Sequence, residues 1–179
     1  MLCTANVCRS PMAQAMLAQE LAARGQPDRV TSAGVAGGRG ACVPGEVAAV
    51  LAGYGLDVSG HRSTVMTAGG LARADLILTM AREHLRHAVV LEPLIWPRAF
   101  TLLELARRGG QAGSRGPGES LAGWLARVHA GRSRMALLGD DQADDVADPI
   151  GGRRSDYERA AAQISRAVGA VAGLGWGPG

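Results

Sequence analysis

A chain of 179 residues, 47% of them hydrophobic, is long enough to bury a core and sits in the ordinary range for one globular domain. No apolar run is long enough to span a bilayer, so no membrane partner is expected, and three cysteines are too few for an extracellular disulfide framework, which makes a reducing cytoplasm the expected compartment. The net charge of +3 rests on 19 arginines and no lysine; these arginines are scattered among Asp and Glu, and with three Trp, two Tyr and one Phe there is no stacking platform, so no nucleic-acid partner is expected either.

The chain opens on Cys3-Thr4-Ala5-Asn6-Val7-Cys8-Arg9-Ser10-Pro11, a cysteine and an arginine six positions apart with Ser-Pro directly behind. Between them the backbone can curl so that the N–H groups of Thr4 to Ser10 converge on an oxyanion. The largely apolar run Met12 to Leu21 predicts a helix whose free N–H groups and dipole add positive potential at the same place, with Pro11 fitting its first turn. A cysteine in such a field favours the thiolate, its reactive form. The planar fork of Arg9 matches two oxygens of a phosphoryl group.

After Gly25 a short strand is predicted over Arg29 to Ser32, ended by Ala33-Gly34 and followed by a Gly-rich loop from Gly37 to Gly45. Pro44 opens a second helix with Val47, Val50 and Leu51 on one face, stopping near Gly53 to Gly55. Leu56 to Ser63 reads as loop, Ala74 to Met80 as a buried parallel strand, and Arg82 to Arg86 as the start of a helix. A strand interrupted by Pro93 is predicted within Val89 to Trp96, a helix over Phe100 to Arg108, and a Gly/Ser connector over Gly109 to Gly118. Ser120 to His129 reads as helix and Gly139 to Asp148 as an acidic loop. Ser155 to Ala172 reads as a long final helix capped by Ser155 with Glu158, before a frayed tail from Gly173 to Gly179. The alternation of helix and strand predicts an α/β fold: an open, mostly parallel sheet with helices on both faces and the phosphate-binding loop at the N-terminus.

The nine-residue opening resembles the phosphate-binding loop of the low-molecular-weight protein-tyrosine-phosphatases. The resemblance makes Cys3 the nucleophile, Arg9 the phosphate-binding arginine and Ser10 the hydroxyl that helps activate the cysteine. It makes Asn6 the residue that holds the loop in shape, and Cys8 a second cysteine able to form a reversible disulfide with Cys3. Ala5 stands where Gly is usual, a cost if that position needs an open backbone conformation. Thr31 to Gly34, Gly55 to Asp57 through His61-Arg62, Ala74 to Met80, and Asp148-Pro149 with Gly151-Gly152 and Asp156-Tyr157 are similar to further family segments. The resemblance thus implies one phosphatase-like domain over residues 1–179, extended at about 93–145, where Arg98 to Leu102 with Ala106-Arg107 looks like a segment of actinobacterial relatives. It also implies that Ser32 and His61 brace Asn6 and Ser10.

Phosphoester hydrolysis through cysteine needs a thiolate, donors for three equatorial oxygens and an acid for the leaving group. Cys3, the loop with Arg9, and Asp148 fill these places. Asp148 is preferred to Asp140, Asp141, Asp144 and Asp145 because Pro149 fixes the backbone beside it and because Asp-Pro matches the family. The scheme needs no metal or cofactor, and His61, His84, His87 and His129 form no zinc pattern with Cys3 or Cys8. The expected substrate is a phosphorylated protein or a small phosphomonoester. The places where the family tends to carry aromatic walls hold Ile150 and Val35 to Arg39, so weak affinity for phosphotyrosine peptides is expected.

Two rival readings use the same loop. Arsenate reduction needs further cysteines to pass on a disulfide, and none follows Cys42. A non-catalytic phosphate binder needs neither Cys3 nor Asp148. The family also has an apolar strand before its cysteine, in mid-sheet, where this chain has only Met1 and Leu2. A gap in the sheet is therefore expected, together with either a natural start upstream of Met1 or a truncated product.

Overall fold

The computed structural model describes residues 1–26, 28–139 and 142–177. In chain order the elements are β1 (Leu2–Cys3), α1 (Arg9–Ala23), β2 (Ala33–Gly34), α2 (Gly45–Ala52), α3 (Ala68–Ala72), β3 (Ile77–Thr79), α4 (Arg82–Leu91), β4 (Ala99–Thr101), α5 (Leu102–Ala112), α6 (Leu121–His129) and α7 (Arg154–Trp176), with 3-10 turns at Pro93–Arg98 and Arg134–Leu138. The strands form one parallel sheet in the order β2-β1-β3-β4.

The expected gap does not open. Two residues suffice for a central strand: Leu2 and Cys3 pair with Ala33 and Gly34 on one side, and Leu2 pairs with Thr79 on the other. Ala33 N donates to Met1 O, Val35 N to Cys3 O and Met80 N to Leu2 O, at 2.9–3.0 Å. The same register moves β2 away from the expected Arg29–Ser32, because strand pairing begins where β1 offers a partner. The outer side of β2 is covered by Gly34 N donating to Thr64 O and Met66 N to Gly34 O, both 2.8 Å, which leaves that edge unavailable to another chain.

Residues along each strand alternate between two cores, as a period of two requires. Cys3, Leu78 and Phe100 face a core with Met12, Leu21, Leu51, Leu105, Trp124, Ile164 and Val168 from α1, α2, α5, α6 and α7. Leu2, Ile77 and Ala99 face the other, with Leu71, Leu85, Val89, Ile95, Trp96 and Leu137. Helices thus cover both faces, which suits short, fully buried parallel strands. α7 carries a continuous stripe, Tyr157, Ala160, Ala161, Ile164, Val168, Val171 and Ala172, against α1, α2 and α5.

Several boundaries differ from the sequence reading. Val89 to Leu91 finish α4, Pro93 to Arg98 form a 3-10 turn in place of an interrupted strand, and Phe100 and Thr101, read as the start of a helix, belong with Ala99 to β4, the helix beginning at Leu102. α5 runs through Gly109 to Ala112, which read as connector. α7 starts earlier than expected: Arg153 is its N-cap, and Asp156, not Glu158, accepts from the cap N–H at 2.7 Å, while Glu158 pairs with Arg154. It also runs on to Trp176, through part of the expected tail; Pro178 and Gly179 lie outside the described residues.

The long segment from Pro93 is part of the core. Arg132 lies between the faces of Trp96 and Phe100, 3.9 and 4.0 Å from the ring centroids, and makes a bidentate pair with Glu104 at 2.8 and 2.9 Å. A desolvated guanidinium held by two rings and a carboxylate fastens this segment to β4 and α5.

Candidate active site

β1 ends at Cys3, and the chain leaves the carboxyl end of the sheet to reach α1 six residues later. Among the described residues, no backbone N–H from Thr4 to Ser10 donates to a protein acceptor. Buried donors are normally paired, so this run of unspent donors at a helix N-terminus is a ready anion cradle.

Asn6 holds the curl. It has φ of 57°, and it is the one non-glycine with positive φ among the described residues. The conformational load thus falls on Asn6, a residue type that tolerates it, and Ala5 in the usual Gly position costs nothing through φ. The Asn6 amide donates to Ser10 Oγ (3.0 Å) and Ser32 Oγ (2.8 Å), and its Oδ1 accepts from Thr64 N (2.9 Å). His61 Nε2 lies 2.8 Å from Asn6 O. Ser32 Oγ donates its own hydrogen bond to Gln14 Oε1 at 2.6 Å. The resemblance implied that Ser32 and His61 brace both Asn6 and Ser10; both hydrogen-bond Asn6, and Asn6 in turn stands between them and Ser10. Gly34 supports the loop from below, since a Cβ there would fall 2.7 Å from Thr4 O and 3.0 Å from Ala5 C.

Cys3 is buried with its sulfur 3.0 Å from Ser10 Oγ. Cys8, the α1 N-cap, is also buried; desolvation, then the charges of Asp148 and Cys3, push its thiol up to about 12. It stays a thiol and does not compete as nucleophile. Arg9 is buried and spends Nη1 on Val146 O (3.0 Å) and Nη2 on Thr4 Oγ1 (3.3 Å) and Asp148 Oδ2 (2.5 Å); its Nε is buried without a partner.

Of the acidic loop, Asp148 is exposed and meets Arg9. Asp144 is buried in a bidentate pair with Arg107, and Asp145 accepts from Arg82 N at the start of α4. Asp140 and Asp141 lie outside the described residues. Ile150 follows Pro149 with half its surface exposed. Sequence reasoning missed Gln14, Thr64, Val146 and His84, whose Nε2 lies 2.9 Å from Thr4 Oγ1. His84 had one available signal: it lies in the first turn of a helix just past a strand end, where sites of open α/β sheets gather.

A parallel sheet whose central strand delivers a cysteine into an anion cradle defines a cysteine-centred phosphoryl-handling protein. Comparison with known proteins places it further. Residues 1–105 match the family model described as low molecular weight phosphotyrosine protein phosphatase. Low molecular weight protein-tyrosine phosphatase A of Mycobacterium tuberculosis is 33% identical over 174 residues, covering 93% of this chain and 84% of that protein. A low molecular weight protein tyrosine phosphatase from T. tengcongensis is 28% identical with a TM-score of 0.71, covering 95% of this chain and 93% of that one. The YwlE arginine phosphatase of Geobacillus stearothermophilus is 25% identical with a TM-score of 0.68, covering 96% and 87%. The chain belongs to the low-molecular-weight protein-tyrosine-phosphatase family, a family of cysteine-dependent phosphomonoester hydrolases.

Proposed function

We propose that this chain hydrolyses phosphomonoesters by in-line transfer of the phosphoryl group to Cys3 Sγ, with Arg9 and the N–H groups of Thr4, Ala5, Asn6, Val7, Cys8, Arg9 and Ser10 holding the equatorial oxygens and Asp148 serving the leaving group. The observation that carries this reading is the unspent donor set: seven consecutive free N–H groups and the buried, unpartnered Nε of Arg9 surround one cysteine. Donors fixed before substrate arrives cost no reorganisation in the transition state.

In the first step the Cys3 thiolate, supported by the Ser10 hydroxyl, forms an S–P bond as the P–O bond to the leaving group breaks, and Asp148 gives that oxygen its proton. In the second, Asp148 takes a proton from water, the water oxygen bonds to phosphorus, and the S–P bond breaks to restore the thiolate and release phosphate. Entry of a phosphoryl group requires Arg9 to exchange the Asp148 carboxylate for a phosphate oxygen. The same exchange frees Asp148 to act as acid.

Residues 1–179 are read as a single catalytic domain, since α7 at one end packs on α1 behind the loop. Cys3, Cys8 and Cys42 are free thiols, which suits a reducing cytoplasm. The substrate class is a phosphorylated protein side chain or a small phosphomonoester, supported by the relatives named for tyrosine and arginine phosphatases. The aliphatic Ile150 at the mouth favours small esters over a stacked phosphotyrosine.

The test is hydrolysis of p-nitrophenyl phosphate in the presence of a chelator, with Cys3→Ser as control. Turnover that vanishes in the variant is the expected result. Phosphate binding by the parent chain with no turnover would replace this reading with a binding role.

A further inference from the structure

His84 has no part in the steps above, yet it is 2% exposed and hydrogen-bonds the loop through Nε2. Its Nε2 lies 2.9 Å from Thr4 Oγ1, and Thr4 Oγ1 lies 3.3 Å from Arg9 Nη2. Arg9 can only donate, so Thr4 accepts from it and keeps its own hydroxyl proton to give. With the neutral ring in the tautomer that carries its proton on Nδ1, Nε2 accepts a hydrogen bond from that hydroxyl. Burial, then the charges of Arg9 and His87, push the His84 pKa down to about 4 and keep the ring neutral. Its Nδ1 is buried without a partner. A polar ring kept dry with half its capacity unspent is a poor choice for packing alone, because an aliphatic side chain would fill the space without that penalty.

The geometry of Arg9 shows what the ring does. Nη1 is tied to Val146 O, and one Nη2 proton faces Thr4 while the other faces Asp148. A phosphoryl group bound side-on uses Nε and the second Nη2 proton, so it displaces Asp148 and leaves Thr4 as the side-chain restraint on that edge. We propose that His84 is a positioning residue for phosphate capture: by accepting a hydrogen bond from the Thr4 hydroxyl it turns a Thr4 lone pair toward Arg9 and fixes the guanidinium so that Nε and Nη2 meet the phosphoryl group together. The inference rests on the reading of the loop as a phosphate cradle.

The test measures inhibition by inorganic phosphate, with KM and kcat for p-nitrophenyl phosphate, in the parent chain and in His84→Leu, His84→Gln, Thr4→Val and the His84→Leu/Thr4→Val double variant. His84→Leu and Thr4→Val are each expected to weaken phosphate binding roughly 5–20-fold, the size of one hydrogen bond near a charge. His84→Gln, whose amide oxygen can stand where Nε2 accepts, stays within about threefold of the parent. Because both residues act through one contact, the double variant is no weaker than about twice the worse single variant. Phosphate affinities that multiply in the double variant, or His84→Gln as weak as His84→Leu, would overturn the assignment. If His84→Leu does not fold, Thr4→Val and His84→Gln decide: parent-like phosphate affinity in Thr4→Val, or loss in His84→Gln, removes the proposal. A parent chain that neither binds phosphate nor hydrolyses the ester removes the cradle reading as well, whereas a binding parent with the wrong variant pattern removes this inference alone.

Discussion

Asp148 Oδ2 lies 2.5 Å from Arg9 Nη2, so a candidate acid and a candidate phosphate-binding arginine, 139 positions apart, satisfy one another while the cradle is empty. The carboxylate therefore competes with an incoming oxyanion for the same donor. Asp148→Ala is expected to tighten inorganic phosphate several-fold while lowering kcat by about 10²–10⁴-fold for esters with poor leaving groups. The loss shrinks for good leaving groups such as p-nitrophenol, which need less protonation. Phosphate inhibition constants and kcat across a leaving-group series read both effects.

Asn6 combines a left-handed backbone with three side-chain hydrogen bonds inside the protein. Asn6→Ala removes the bonds and adds conformational strain of about 1–2 kcal/mol; Asn6→Gly removes the bonds alone. With buried partners left unpaired at about 1–3 kcal/mol in all, Asn6→Ala should cost about 2–5 kcal/mol. That corresponds to a fall of roughly 4–20 °C in melting temperature for a chain of this size. Asn6→Gly should fall between it and the parent, and thermal melts that rank it below Asn6→Ala would refute the assignment of strain to this residue.

Gly34 faces the backbone of the loop. An added Cβ meets Thr4 O and Ala36 O at 2.7 Å each, both fixed main-chain atoms. Gly34→Ala is expected to displace the loop and lower kcat/KM by more than about tenfold, since a shift of about 1 Å at a positioned group can cost about 10²-fold. Gly60→Ala, with nothing within 4 Å of its added Cβ, serves as the neutral comparison.

His84 also sets an acid limit on stability. Unfolded, its ring takes a proton near its ordinary value of 6.5; folded, it declines one until about pH 4. The unfolded state thus binds more protons across this window, and stability falls as pH drops from about 6.5 to about 4. The difference amounts to about 3 kcal/mol by linkage. Urea unfolding across this range should show the decline, and His84→Gln should remove this part of the slope.

Ile150 supplies no ring for a phosphotyrosine to stack on. Ile150→Tyr should lower KM for a phosphotyrosyl peptide by about fivefold, on the order of 1 kcal/mol for one ring contact. KM for a small aliphatic phosphate should stay unchanged. Equal gains for both substrates would mean that the new side chain acts other than by stacking.

The chemistry could be read from the chain because it is concentrated in contiguous residues. Cys3 to Pro11 carry the proposed nucleophile, the fork and the helix start within nine positions, and Pro149 marks Asp148 among its acidic neighbours. Ser32 and His61 were also readable as supports, although their common target is Asn6. What stayed hidden depends on tertiary register. Nothing local tells Ala33-Gly34 from Arg29–Ser32 as the paired residues, because the choice is made by Leu2 and Cys3 across the sheet. Val89 to Trp96 has strand-like composition, yet Ala88 and Val89 sit on the buried face of α4, and packing overrode propensity. Thr64, Val146 and His84 reach the loop from three separate segments, Gln14 reaches it through Ser32, and sequence spacing does not record such contacts.

The shortness of β1 has a consequence for the newborn chain. Cys3, the proposed nucleophile, is made before its sheet partners near residues 33 and 79 and before the proposed acid at residue 148. At synthesis rates of roughly 5–20 residues per second, about 7–30 s separate the first of these residues from the last. Cys3 therefore emerges before the partner strands that will shelter it, and its custody until α7 docks falls to whatever the ribosome and chaperones provide.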